Sequence, residues 1–237
     1  MPQFFIKSAN ISGSRCLIGG SDYRHLTRVR RVKAGDILNL RTEEGLLAKA
    51  EIIIVTDSII EAEIIEEAPA RPMPLRLCLC VSLLKGKKMD FVIQKCVEIG
   101  VDRIVPFISE RSIPRPEDKG GVRVQRWNRI AKEAAKQSMR LSVPSVAEIH
   151  RFSDVAAMKF DGDRIIAHPG TGGSGFDVKK NDAALMIGPE GGFSEREMGE
   201  ACEAGWKPCS FGFSELRSET AAIVLPAVMI HEWTKKP

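Results

Sequence analysis

Ala183-Ala184-Leu185-Met186-Ile187-Gly188-Pro189-Glu190-Gly191-Gly192-Phe193-Ser194-Glu195-Arg196-Glu197 runs from an apolar stretch through a glycine-rich turn into a helix start. The five apolar residues read as a short buried strand. Ser194-x-x-Glu197 is a capping box, with Met198, Ala201 and Cys202 expected to face inward. Pro189 stiffens the turn, and its glycines let the backbone approach a ligand closely. A tight strand-to-helix connection would use the same residues, and the residues alone leave both readings open.

The same alternation extends outward on both sides. Leu75 to Leu83, Val101 to Ile108, Arg164 to Ala167 and Lys207 to Phe211 read as further strands. Met89, Val92, Ile93, Cys96 and Val97 recur at helical spacing, and Gly100 follows as a C-cap. Trp127, Ile130, Ala131, Ala134 and Ser138 mark a second helix. Ser218 is expected to cap a C-terminal helix in which Pro226 implies a kink or a late start. Strands alternating with helices predict a mostly parallel sheet covered on its faces, an α/β fold. Pro69-Ala70-Arg71-Pro72-Met73-Pro74 interrupts the pattern and is expected to be a linker. Before it lies a β-rich module in which Ile60-Glu61-Ala62-Glu63-Ile64 alternates with period two, Ala34-Gly35-Asp36 turns into the strand Ile37 to Leu40, and Thr42-Glu43-Glu44-Gly45 links a hairpin. The domains are therefore drawn at 1–70 and 71–237.

Composition restricts the functional classes. Of 237 residues, 43% are hydrophobic and 28% charged, which is ordinary for a globular protein. The net charge of +4 does not by itself argue for nucleic acid. Six cysteines form no C-x-x-C pair and four histidines are scattered, so no metal site is expected. Met1 to Lys7 lacks the apolar core of a signal peptide, and no apolar run reaches spanning length, so a cytoplasmic protein is expected.

Charge is nevertheless unevenly placed. Residues 1–70 carry nine Lys/Arg and ten Asp/Glu, yet Arg24 to Lys33 holds five basic residues and no acid. Arg24, Arg28, Arg30 and Arg31 thus form a phosphate-facing patch or a solvated turn. Gly170-Thr171-Gly172-Gly173-Ser174-Gly175 matches a dinucleotide fingerprint letter for letter. The polar Phe176 to Asp182 follows where that fingerprint needs a helix, so the segment reads as a loop.

A third segment, Phe211-Gly212-Phe213-Ser214-Glu215-Leu216-Arg217-Ser218-Glu219-Thr220-Ala221, gathers Arg, Ser, Glu and Thr at a loop-to-helix junction. Together with Ile187 to Ser194 it closely resembles the RsmE family, the bacterial 16S rRNA uridine-N3 methyltransferases of the SPOUT superfamily. The resemblance spans nearly the whole chain. His25-Leu26-x-x-Val29-x-Arg31 with Gly35-Asp36 is similar to that family's PUA-like N-terminal β-barrel. Lys85-Gly86-x-Lys88-Met89-Asp90, Gln94 to Val101, Ser109 to Ser112 and Glu133 to Ser138 are similar to its central part. The chain departs from the family at Met139 and Leu141, where Gly and Asn are usual, and at Glu215, where an apolar residue is usual.

The resemblance implies a C-terminal domain with a deep trefoil knot and a parallel sheet. It implies S-adenosylmethionine bound by Ala167, His168 and Pro169, by Gly188, Pro189, Glu190, Gly191 and Gly192, and by Phe211, Gly212, Leu216, Ser218 and Thr220. It implies 16S rRNA of the small ribosomal subunit as substrate, a homodimer, and no role for a metal. Arg217 is expected to stabilise charge on the uracil oxygens. Glu219 and Glu190 are candidates for a general base, provided that burial raises the pKa of one of them. Arg24, Arg28, Arg30, Arg31, Lys85, Lys88, Arg111 and Arg140 are expected to contact RNA phosphates. Competing readings are ribose 2′-O methylation on the same fold, an RNA-binding or assembly protein without activity, and a small-molecule enzyme using residues 170–175.

Overall fold

The structure, a computed structural model, describes residues 3–42, 46–69, 75–112, 120–169, 181–211 and 214–235. The linker residues 70–74, the hairpin residues 43–45, the glycine-rich stretch 170–175, Gly212 and Phe213 lie outside the described residues. Two compact units form, one of Met1–Pro72 with Lys136–Ser142, the other of Met73–Ala135 with Val143–Pro237. Residues 136–142, which the sequence boundary gave to the second domain, therefore group with the first.

In the first unit, β1 (Gln3–Ile6), β2 (Ile11–Ser12), β3 (Arg15–Ile18), β4 (Ile37–Thr42), β5 (Leu46–Val55) and β6 (Ile60–Pro69) form one sheet in the order β1-β4-β5-β6-β3-β2. Among the described residues, only the β1–β4 pair is parallel. Register shifts between Lys49 and Ala50 and between Ile52 and Ile54 bend β5 against β6, as bulges do. The sheet curls around Phe4, Leu26, Leu40, Ile52 and Ile60. Between β3 and β4 the basic segment is helical: α1 (Gly20–Arg24) continues into a π-helical turn, His25–Arg30. Leu26 is buried under it, while Arg24, Arg28, Arg30 and Arg31 are exposed. Arg31 closes the turn at φ 52°. Lys136 forms a buried ion pair with Asp22 at 2.5 Å, and its ammonium stands 5.6 Å from the Phe4 ring centre.

The second unit comprises β7 (Arg76–Ser82), α2 (Lys88–Ile99), β8 (Arg103–Ile108), most of α3 (Gly120–Gln137), β9 (Ser145–Val146), β10 (His150–Arg151), α4 (Phe152–Ala156), β11 (Asp163–Ala167), β12 (Asp182–Ile187), α5 (Glu195–Glu203), β13 (Lys207–Cys209) and α6 (Ser218–Thr234). Among the described residues all of its strand pairs are parallel, in the order β10-β8-β7-β12-β11-β13 with β9 beside β8. Leu77 to Val81 and Ala183 to Ile187 are buried at every position, because helices cover both faces of the sheet. Cys78, Cys80, Phe107, Phe152, Phe193 and Trp206 share the core on one face. On the other, α6 packs on α2, β7 and β12.

Two local expectations change. The N-cap of α6 is Arg217, not Ser218, and no side chain among the described residues caps it. Pro226 does not delay α6, which starts at Ser218 and runs through it. A proline at 226 removes the amide that would bond the Ala222 carbonyl. The Cys96 thiol donates to that carbonyl instead, at 3.1 Å.

Candidate active site

The carboxyl ends of β11, β12 and β13 border a cavity of about 920 Å³. Ligands of parallel α/β sheets bind just beyond strand carboxyl ends, where successive connections diverge. Three segments line this one: Ala167 to Pro169 after β11, Ile187 to Phe193 after β12, and Cys209 to Glu219 between β13 and α6, less the undescribed pair at 212–213. The His168 amide donates to Cys209 O at 3.0 Å and ties the first segment to the third.

The middle segment is a tight turn and a cavity wall at once. The Gly192 amide donates to Pro189 O at 2.9 Å. Gly192 adopts φ +70°, a conformation that side chains disfavour. A Cβ on Gly188 would stand 3.0 to 3.2 Å from the Phe193 ring. That ring stacks on Phe107, with centroids 6.4 Å apart and planes 6° apart. Phe193 thus anchors the loop in the core while the backbone of 188–192 stays at the cavity.

Charged groups gather at one side. Lys88 Nζ bridges Glu219 Oε1 at 3.0 Å and Glu190 Oε1 at 3.4 Å. These contacts raise the Lys88 pKa, the Glu219 bond foremost. The Glu219 carboxyl is held below the ordinary carboxylate value, first by the backbone N–H of its own residue at the start of α6 and then by Lys88 and Arg217, against opposing desolvation. Desolvation raises the Glu219 pKa but is outweighed, so the condition set for its service as a general base is not met. Its Oε2 is buried and accepts no hydrogen bond among the described residues. Arg217 lines the cavity from an exposed, extended position before α6.

Most of the expected cofactor residues come together. Ala167, His168, Pro169, Gly188 to Gly192, Phe211, Leu216 and Ser218 line the cavity, as do Arg217, Glu219 and Glu190. Thr220 does not; it is exposed on α6. Gly212 lies outside the described residues.

The expected phosphate contacts divide. Lys88 and Arg111 line the cavity. Arg111 Nη1 is engaged by Gly191 O at 3.0 Å, and Lys85 is exposed. Arg140 is only 6% exposed and cannot present its guanidinium to a phosphate. Sequence reading missed Ile187, Phe193, Cys209, Ser210, Ala221 and Leu225 as lining residues. It also missed Glu197 as anything more than a helix cap. Ile187 and Phe193, inside the stretch Ile187 to Ser194, and Ala221, at the end of the motif Phe211 to Ala221, had a signal that could have found them.

Comparison with known proteins identifies the family. The family of the RNA methyltransferase domain matches residues 71–230, and that of the RNA methyltransferase PUA domain matches residues 18–65. The ribosomal RNA small subunit methyltransferase E of Bacillus subtilis is 31% identical over 87% of this chain and 86% of its own length. That of Aquifex aeolicus is 28% identical over 92% and 95%. The crystal structure of the Neisseria gonorrhoeae enzyme of that name, bound to S-adenosylmethionine, superposes with a TM-score of 0.89 at 32% identity over 98% of each chain. A Legionella pneumophila methyltransferase with S-adenosylmethionine bound gives 0.88 at 28% identity over 97% of each. The family match to the C-terminal unit and the near full-length relatives lead to one conclusion: this chain belongs to the ribosomal RNA small subunit methyltransferase E family.

Proposed function

We propose that the protein transfers a methyl group from S-adenosylmethionine to N3 of a uridine in 16S rRNA of the small ribosomal subunit. The observation that carries this reading is the cavity at the strand ends, which gathers Ala167 to Pro169, Gly188 to Gly192 and Leu216 to Glu219 around Arg217. The residues present fit the cofactor. The Glu219 carboxylate borders the cavity, and S-adenosylmethionine is cationic. The glycine-bearing turn offers backbone N–H and C=O groups at close range.

The bound cofactor supplies an electrophilic methyl group on a sulfonium. The protein's own residues do the rest. Uridine N3 is an imide nitrogen whose proton must leave before or during attack, which spreads negative charge onto the flanking oxygens. Arg217, which lines the cavity, stabilises that charge. Glu219 stays ionised and serves to hold positive charge. Glu190, the other base candidate, shares Lys88 with Glu219 from an exposed position. Holding uracil and cofactor in line in one walled cavity contributes further, since orientation can lower a barrier by ~7–11 kcal/mol.

In the first unit, the exposed Arg24, Arg28, Arg30 and Arg31, from the end of α1 to the residue that closes the π-helical turn, serve as phosphate contacts. The exposed apolar residues Leu216, Val224 and Val228 on and before α6, with Phe91 on α2, support a homodimer. The return of α6 from the β13 edge to β7 and β12 supports a knotted path. The test is genetic and chemical: express the chain in a bacterium lacking its own enzyme of this family and digest its 16S rRNA. Nucleoside mass spectrometry should then find N3-methyluridine. A ribose-methylated nucleoside in its place would overturn the proposed reaction.

A further inference from the structure

Glu197 does more than a capping residue needs. Its side chain is buried, 2% exposed. A capping box requires only that the glutamate accept from the N-cap amide, here Ser194 N to Oε2 at 3.0 Å. Glu197 also accepts from Ser109 Oγ, at 2.8 Å on Oε1 and 3.0 Å on Oε2. The Glu110 amide donates to Oε1 at 2.8 Å. These two donors follow β8, far away in the chain. Ser194 Oγ returns the tie by donating to Glu110 Oε2 at 2.9 Å. Ser112 Oγ accepts from the Ser109 amide at 2.8 Å and lies 2.7 Å from Ser82 Oγ at the end of β7.

The segment so fixed carries Arg111. Its guanidinium donates to Gly191 O at 3.0 Å, and a Cβ on Gly191 would meet Arg111 Cβ at 3.4 Å. The cavity turn is therefore held at both ends by one carboxylate: at Ser194 directly, and at Gly191 through Glu110 and Arg111. We infer that Glu197 is a positioning residue, which sets the shape of the Gly188–Gly192 cofactor turn by locking the Ser109–Ser112 segment, and Arg111 with it, against that turn. The inference rests on the cofactor reading given above.

Glutamine discriminates this role from capping. In a capping box Gln serves as well as Glu. At position 197 it cannot keep every bond. Whichever way its amide is turned, the NH₂ faces either the Ser194 amide or the Glu110 amide, a donor against a donor.

Amide hydrogen exchange on the free, full-length protein is the test. Glu197→Gln should speed exchange at both Glu110 to Ser112 and Gly191 to Ser194, by about 10-fold, the worth of one hydrogen bond to a charged group. No acceleration, acceleration confined to the start of α5, or acceleration spread over the whole second unit would overturn the inference. If that variant fails to fold, Ser109→Ala, which keeps the carboxylate and its two amide bonds, should speed the same two segments to a smaller degree; unchanged exchange there overturns it.

Calorimetry with S-adenosylmethionine reads the consequence. Glu197→Gln and Arg111→Ala should each weaken binding by about 10-fold, and the double variant no more than either alone. Additive losses would overturn the coupling through Arg111. Wild-type protein that binds no S-adenosylmethionine would instead end the cofactor reading, while the exchange experiment still decides the lock.

Discussion

Lys88 Nζ lies 3.0 Å from Glu219 Oε1, joining the start of α2 to the start of α6 at the edge of the cavity. The pairing has a pH signature. Glu219 titrates below its ordinary value of 4.5 in the folded protein. A carboxyl lowered on folding contributes stability above its unfolded value and loses it as pH falls through the folded one. The melting temperature of wild type should exceed that of Glu219→Gln at neutral pH, and the gap should shrink as pH falls below 4.5. A gap that stays constant down to strong acid would show that the pair contributes no pH-dependent stability.

Arg217 is assigned to charge that develops only during reaction. Arg217→Ala should lower single-turnover methylation by about 10²–10³-fold, the usual loss when one such donor is removed. S-adenosylmethionine affinity should change by no more than about threefold, because ground-state binding is a separate term. Loss of cofactor affinity with turnover intact would reverse the assignment.

The basic helical turn predicts a salt effect. Each phosphate contact contributes about 0.7–0.9 to the slope of log affinity against log salt. The double variant Arg28→Ala, Arg31→Ala should therefore reduce the slope for 16S rRNA by about 1.5. Arg140→Ala should leave the slope unchanged and lower thermal stability, since Arg140 is buried. Filter binding between low and moderate salt reads both.

Cys96 and Pro226 should be energetically coupled through Ala222. In wild type, Cys96→Ala leaves the Ala222 carbonyl without its thiol donor. In a Pro226→Ala background the restored amide takes over that carbonyl. Chemical denaturation should show Cys96→Ala costing about 0.5–1 kcal/mol less in the second background. Equal costs would mean that the thiol bond carries no weight.

What could be read from the chain was local. The Ser194–Glu197 box marks the start of α5, with both of its bonds formed. Gly100, at φ +129°, closes α2 as its position after the periodic residues implies. Apolar runs located the central strands to within a residue or two, because burial on both faces leaves no polar position to confuse the pattern.

What could not be read depends on contacts between distant residues. Cys202 was expected to face inward beside Met198 and Ala201, but it is exposed. The buried stripe of α5 is Glu197 and Ala201, because donors after β8 draw the Glu197 carboxylate into the interior and fix the helix rotation. Thr220 shares its motif with Ser218 and Glu219, yet Ser218, Ala221, Ala222 and Leu225 set the buried face of α6. At 100° per residue, Thr220 falls on the opposite side. Lys88 read as a phosphate ligand, since nothing nearby in sequence announces its two glutamate partners.

The most direct test of the central claim combines the cavity, the cofactor and the substrate. Purified wild-type protein and Arg217→Ala would each be incubated with methyl-labelled S-adenosylmethionine and small ribosomal subunits from a strain lacking the family enzyme, and the labelled nucleoside identified. The account predicts label in N3-methyluridine with wild type and about 10²–10³-fold slower labelling with the variant. Label in a ribose-methylated nucleoside, or equal labelling by both proteins, would contradict it.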